Sequence, residues 1–175
     1  MKIEKLLFIV SAFLLAGCAG APELKKHTFT IELGQDVYAN PALYVKDEQA
    51  PAGYEVVATT TGISKKDNRF ITRGYDFLVV GEYEFALQKG SESIPFGIKI
   101  KDTRPPTVTQ DVQEIQAALG ETIDWKNYFQ ATDLSGVSYE APLDTTATPG
   151  DHDISVKISD RFGNTVEKPV KVVVS

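Results

Sequence analysis

From Thr28 onward the apolar residues of this chain recur at every second position, and no stretch sustains a helical period. Phe29, Ile31 and Leu33 alternate with Thr30 and Glu32, and Tyr83, Phe85 and Leu87 alternate with Glu84 and Ala86. Successive side chains of an extended segment point to opposite faces, so this pattern leaves each segment one apolar face, buried only by pairing strands into sheets and stacking the sheets. The same pattern marks 56–60, 70–72, 77–80, 94–100, 154–158 and 170–174, while 112–119 is spaced for a helical turn or two. The expected fold class is all-β.

Residues 1–17 follow a different rule. Lys2 and Lys5 form a positive start, and Leu6 to Val10 with Phe13, Leu14 and Leu15 form an apolar run, the composition of a secretory leader. At about ten residues the run is too short to span a bilayer. The chain's single cysteine follows in Leu15-Ala16-Gly17-Cys18, with small residues where a signal peptidase needs them. This resembles the bacterial lipobox, with Leu15, Ala16 and Gly17 as the peptidase recognition residues. The resemblance implies cleavage before Cys18, a diacylglycerol thioether on its sulfur and acylation, palmitate for instance, of the new amine. Cys18 is then an anchor in membrane lipid, since two or three acyl chains hold far more firmly than one. Ala19 stands where lipoproteins kept in a diderm inner membrane usually carry Asp, which implies the outer membrane in a diderm and the outer face of the plasma membrane in a monoderm. Residues 18–26, with Gly20, Pro22, Lys25 and Lys26, read as a solvated tether.

The mature chain divides at Lys101-Asp102-Thr103-Arg104-Pro105-Pro106, because two prolines after a strand fix φ and remove ladder donors. The expected units are 27–101 and 107–175, with 102–106 as a stiff linker. Leu33-Gly34-Gln35-Asp36-Val37 matches Leu119-Gly120-Glu121-Thr122-Ile123, and Leu43 and Phe129 each lie nine residues past the glycine. Gly81-Glu82-Tyr83-Glu84-Phe85 matches Gly150-Asp151-His152-Asp153-Ile154, but the offset has fallen from 86 to 69. The first unit therefore carries 17 extra residues in its middle (86 − 69), room for an added hairpin.

The second unit resembles the bacterial immunoglobulin-like domains found in tandem on surface proteins, including the type named after a pesticidal crystal protein. The matching pieces are Asp102-Thr103-Arg104-Pro105-Pro106, Leu119-Gly120-Glu121, Ala131-Thr132-Asp133-Leu134-Ser135-Gly136, Asp144-Thr145, Pro149-Gly150 and Ser159-Asp160-Arg161-Phe162-Gly163-Asn164. They cover most of 102–175 and imply two tandem immunoglobulin-like β-sandwich domains after a cleaved signal peptide. The first unit lacks both the Ala-Thr-Asp-x-Ser-Gly and the Asp-x-x-Gly-Asn pieces.

With 18 basic against 24 acidic side chains and a pI near 5.0, the chain has no clustered charge for displacing phosphate counterions, so nucleic acid is not an expected partner. One Cys excludes a disulfide framework and a Cys-rich zinc site. Asp102, Asp133, Asp144 and Asp160 sit at loops and at the linker and read first as turn caps, with no metal. Calcium, which takes six to eight oxygen ligands, is the alternative at Asp102, Asp133 and Asp160. Trp125, Tyr128 and Phe129 read mainly as core side chains of a short strand, with Trp125 and Tyr128 kept as possible ligand contacts. No nucleophile lies in a recognisable motif with His27 or His152, so no catalytic residue and no cofactor are expected. The leading function is a non-enzymatic, membrane-anchored envelope lipoprotein binding an unidentified protein or glycan. The alternatives are a structural spacer and an envelope hydrolase. Replacing Cys18 by Ser is expected to move the protein from the membrane fraction to the soluble one; unchanged retention in fractionated cells contradicts the anchor.

Overall fold

Every strand expected from the two-residue period, except 77–80, is present in the computed structural model, which describes residues 20–47 and 51–175. Cys18 and the recognition residues Leu15, Ala16 and Gly17 lie outside the described residues. The N-terminal half contains β1 (Thr28–Glu32), β2 (Val37–Tyr38), β3 (Glu55–Ala58), β4 (Ile63–Lys66), β5 (Arg69–Thr72), β6 (Gly81–Lys89) and β7 (Glu92–Lys101). The C-terminal half contains β8 (Thr107–Gln110), β9 (Glu114–Ala117), β10 (Gln130–Thr132), β11 (Ser138–Glu140), β12 (Gly150–Ser159) and β13 (Thr165–Val174). Each half is an all-β, immunoglobulin-like sandwich. A four-stranded sheet, β1-β7-β6-β3 or β9-β13-β12-β11, faces a smaller one, β2-β5-β4 or β10-β8.

Each half has its own core. Val37, Phe70, Phe85, Leu87, Phe96 and Ile98 are buried together in the first, and Ile115, Phe129, Val156, Ile158, Val170 and Val172 in the second. In both large sheets the first strand runs parallel to the last, which pairs antiparallel along its length with the strand before it.

The internal duplication extends to individual bonds. Gln35 N–H donates to the Glu32 carbonyl and the Gln35 side chain accepts from Glu32 N–H; Glu121 and Ala118 repeat both bonds. Gly34 and Gly120 take positive φ in these turns, at 82° and 76°. Pro95 of β7 pairs with Ala86 and Pro169 of β13 with Ser155. Both prolines lie just outside the stretch covered by the parallel strand, where the missing N–H leaves no gap in a ladder. Most of the 17 extra residues form the β4–β5 hairpin, Ile63–Thr72. Its turn, Asp67-Asn68, has positive φ at both residues, 49° and 62°, the signature of a type I′ turn.

Local pattern is overruled in five places. Residues 112–119 hold strand β9, because pairing with β13 buries Ile115 and Ala117 on one face, and Leu119 is left 55% exposed. Segment 77–80 forms no strand; Val79 N–H donates to Thr72 Oγ1 and the Val79 carbonyl accepts the Tyr83 hydroxyl. The aromatic segment begins with a 3-10 turn, Trp125–Asn127, whose first turn is capped by the Asp124 carboxylate accepting from Lys126 N–H. Leu43 is half exposed while Phe129 is fully buried, so the position equivalent to Phe129 in the first half is not Leu43. The tether is shorter than 18–26: Leu24 is buried in the first core and bridges Val45, flanked by the Lys25 N–H to Tyr44 carbonyl bond and the Glu23–Lys46 ion pair.

Phe129→Ala is expected to destabilise the C-terminal half by about 3–5 kcal/mol, the usual loss for a fully buried aromatic. Calorimetry should show one transition lowered and the other unmoved; a single transition moving as a whole contradicts independent cores.

Candidate functional site

Two places collect the polar and aromatic residues of interest: the junction between the halves and a groove on the C-terminal half. At the junction the chain leaves β7 through Asp102, and Glu32 of β1 holds it there. The Thr103 amide and hydroxyl donate to Glu32 Oε1 and Oε2 at 2.9 and 2.8 Å. The Thr103 amide bond holds the Glu32 carboxyl below its ordinary range, and the nearby Arg104 charge adds to the effect. From the other half, Leu134 packs on the turn at Gly34, where a Cβ would stand 2.5 Å from Leu134 Cδ1.

Asp102, Asp133 and Asp160 lie far apart in sequence, yet each offers a carboxylate oxygen within 4.8 Å of the others. They follow the ends of β7, β10 and β12. Two of them are occupied by their own turns. Asp133 Oδ1 accepts the Ser135 amide and hydroxyl, both at 2.7 Å. Asp160 Oδ1 accepts the Phe162 and Asn164 amides, and its Oδ2 accepts Asn164 Nδ2 at 2.6 Å, which also donates to the Asp102 carbonyl. Burial opposes the Asp160 charge, but these bonds outweigh it and hold the carboxyl below its usual value.

Asp102 is in the opposite situation. Its Oδ2 is buried without a hydrogen-bond partner. Burial and then the Asp133 and Asp160 charges push its carboxyl up, against the pull of the Ser135 hydroxyl and the Arg104 amide. A hard cation would find three carboxylates here, two of which already accept five hydrogen bonds from their own turns, beside the unpartnered Asp102 Oδ2. Asp144 is not part of the group.

The groove lies beside β11, an edge strand that among the described residues pairs only with β12. Ile123, Trp125 and Tyr139 divide it into two open concavities of about 620 and 560 Å³, one continuing to Ala131 and Val137, the other to Ala141 and Leu143. These side chains pack on the second core yet stay half-buried, except Leu143, which is fully exposed. Trp125 meets Tyr128 edge-on at 6.5 Å and lies 6.4 Å from Phe129, and it lines both concavities. Tyr128 packs against the core and lines neither concavity. Glu121, Asp124, Asp133 and Glu140 line the groove against one cation, Lys126, with Lys157 paired to Glu140. Sequence reasoning singled out Trp125 and Asp133 but missed Ile123 and Tyr139, whose signal is the 17-residue difference between the halves.

No known family profile matches the chain, and no curated protein matches it. Among solved structures, human mucin-like protocadherin EC1-2 aligns over 90% of this chain and 99% of its own, at 15% identity and a TM-score of 0.31. Chicken VE-cadherin EC1-2 aligns over 86% of this chain and 98% of its own, at 12% identity and a TM-score of 0.30. An I-band fragment of titin aligns over 88% and 64%, at 9% identity and a TM-score of 0.36. The immunoglobulin-like assignment rests on the sheet order, not on these scores.

Asp102→Asn is expected to raise the melting temperature at pH 7 by a few degrees. A carboxyl whose pKa is raised on folding weakens the fold above that pKa, and the penalty fades as pH falls through it toward 3.8. The gain should therefore shrink in acid. Melts in calcium and in EDTA read the alternative: a cation held by Asp102 makes the substitution destabilising in calcium alone.

Proposed function

We propose that this chain is a non-enzymatic binding or adhesion module of the bacterial cell envelope, anchored through lipid on Cys18, with tandem bacterial immunoglobulin-like domains as its recognition part. The observation that carries the binding role is the uncovered groove of the C-terminal half, where aromatic and aliphatic side chains lie beside the edge strand β11 inside a polar rim. A partly desolvated aromatic anchor surrounded by polar groups is what a recognition surface requires. A spacer would have no need of it.

Catalysis has less support. His152 Nε2 lies 2.8 Å from the Thr148 carbonyl, a main-chain contact with no nucleophile in it. Glycoside hydrolysis needs two carboxylates flanking room for a sugar and a water. Asp133 and Asp160 are committed to their turns, and Asp102 Oδ2 is out of solvent reach. The anchoring is supported by the leader and the Leu15-Ala16-Gly17-Cys18 motif. The outer membrane in a diderm, or the outer face of the plasma membrane in a monoderm, is the corresponding location.

The test is retention of envelope extracts and cell-wall glycans on the immobilised full chain. Saturable capture of a discrete protein or glycan, competed by free chain, is the expected result. Absence of any specifically retained component overturns the binding role.

A further inference from the structure

The two halves share one plan, and they differ where the groove lies. In the N-terminal half, β2 is covered by β5: Val37 pairs with Phe70 and Tyr38 with Arg69. Phe70 is buried in the core against Phe85, and Val37 is only 1% exposed. Arg69 reaches Asp36 at 2.7 Å, so one residue of the covering strand fills the core and its neighbour meets an acid on the rim. In the C-terminal half the residue matching Val37 is Ile123, in a segment that belongs to no strand, and Ile123 is half-buried. The chain runs from β11 at Glu140 to β12 at Gly150 with no hairpin between them, and the groove opens beside Ile123 and β11, with no strand there to match β4 and β5. One end of the groove is closed by the Thr146 carbonyl and hydroxyl, bonded to Gly120 N–H and the Glu121 carbonyl.

We propose that this groove receives an extended segment of a partner protein that takes the place β5 holds in the N-terminal half, with large apolar residues alternating with Lys or Arg. The segment pairs with the backbone of residues 122–124. Its apolar side chains enter between Ile123, Trp125 and Tyr139, and its cations meet Glu121, Asp124, Asp133 and Glu140 on the rim. Main-chain pairing supplies affinity and alternate side chains supply selectivity, as in other strand-addition complexes. The acidic rim sets the sign of the partner's charge, since like charges at an interface edge are rejected. This deepens the binding role and rests on it: the partner is a protein strand, and a glycan becomes an outcome of the test.

The chain supplies its own probe. A synthetic peptide of residues 61–74, Thr-Gly-Ile-Ser-Lys-Lys-Asp-Asn-Arg-Phe-Ile-Thr-Arg-Gly, carries the covering strand with its basic residues. Trp125, the only tryptophan of the chain, reports from inside the groove. Titrating the peptide into the full chain in mild detergent should shift Trp125 emission saturably. A second peptide with every Lys and Arg changed to Glu should bind at least about tenfold more weakly, as should the native peptide to Ala141→Arg, which sets a cation in the groove. Tyr139→Ser provides a second variant if Ala141→Arg fails to fold, as checked by circular dichroism. Unmoved Trp125 emission, equal binding of the acidic peptide, or wild-type affinity in a folded variant each overturns the proposal. If the folded variants capture an envelope protein or glycan as well as the wild type does, the groove assignment fails and the binding role stands; if neither captures anything, the binding role falls as well.

Discussion

The long final hairpin of each half is the constraint on which the rest depends. β12 and β13 pair residue for residue from Gly150↔Val174 to Ser159↔Thr165, and β6 and β7 do the same from Gly81↔Ile100 to Lys89↔Glu92. In a sheet a slip of one residue exchanges the buried face for the exposed one, so this register decides which side chains enter the core. Val156, Ile158, Val170, Val172 and Val174 reach the second core from this hairpin alone. The shorter strands β9 and β11 then add to its two sides, where they gain ladder bonds they could not sustain by themselves.

Given that frame, the halves diverge through one insertion. The β4–β5 hairpin gives β2 a neighbour, lets Phe70 complete the first core and neutralises Asp36 with Arg69. Without it, the C-terminal half keeps its hairpin, its parallel strand and its glycine turn, and leaves Ile123, Trp125 and Tyr139 partly in solvent. The fold tolerates this because Phe129 and the hairpin valines close most of the core. What remains is an edge with apolar side chains behind it and carboxylates before it, a surface that costs stability unless something covers it.

The junction combines hydrogen bonds to the linker with apolar packing between the halves. Glu32 accepts twice from Thr103, Asn164 reaches the Asp102 carbonyl, and Leu134 lies on the Gly34 turn. Asp133 and Asp160 are spent capping their own loops, and that brings their charges against Asp102. Glu32 and Asp102 are thus two linker-facing carboxyls pushed in opposite directions, one by donors and the other by burial and like charge. Acid removes stability at the first and relieves a penalty at the second.

The two-residue period made the strands legible, because a strand facing a core must alternate whatever its partners are. The glycine turns, the paired offsets 86 and 69 and the hairpin implied by their difference were legible for the same reason: each is set by neighbours close in the chain. Residues 112–119 and the turn at Trp125 depart from their local spacing because β13 and the Asp124 cap decide them. The sequence by itself determined an all-β duplicated chain, since those features are written in local pattern and composition. Only the tertiary structure decided that Asp102, Asp133 and Asp160 meet, and that Ile123 and Tyr139 face one uncovered groove. Both follow from strand pairing between segments far apart in the chain, which no local period encodes.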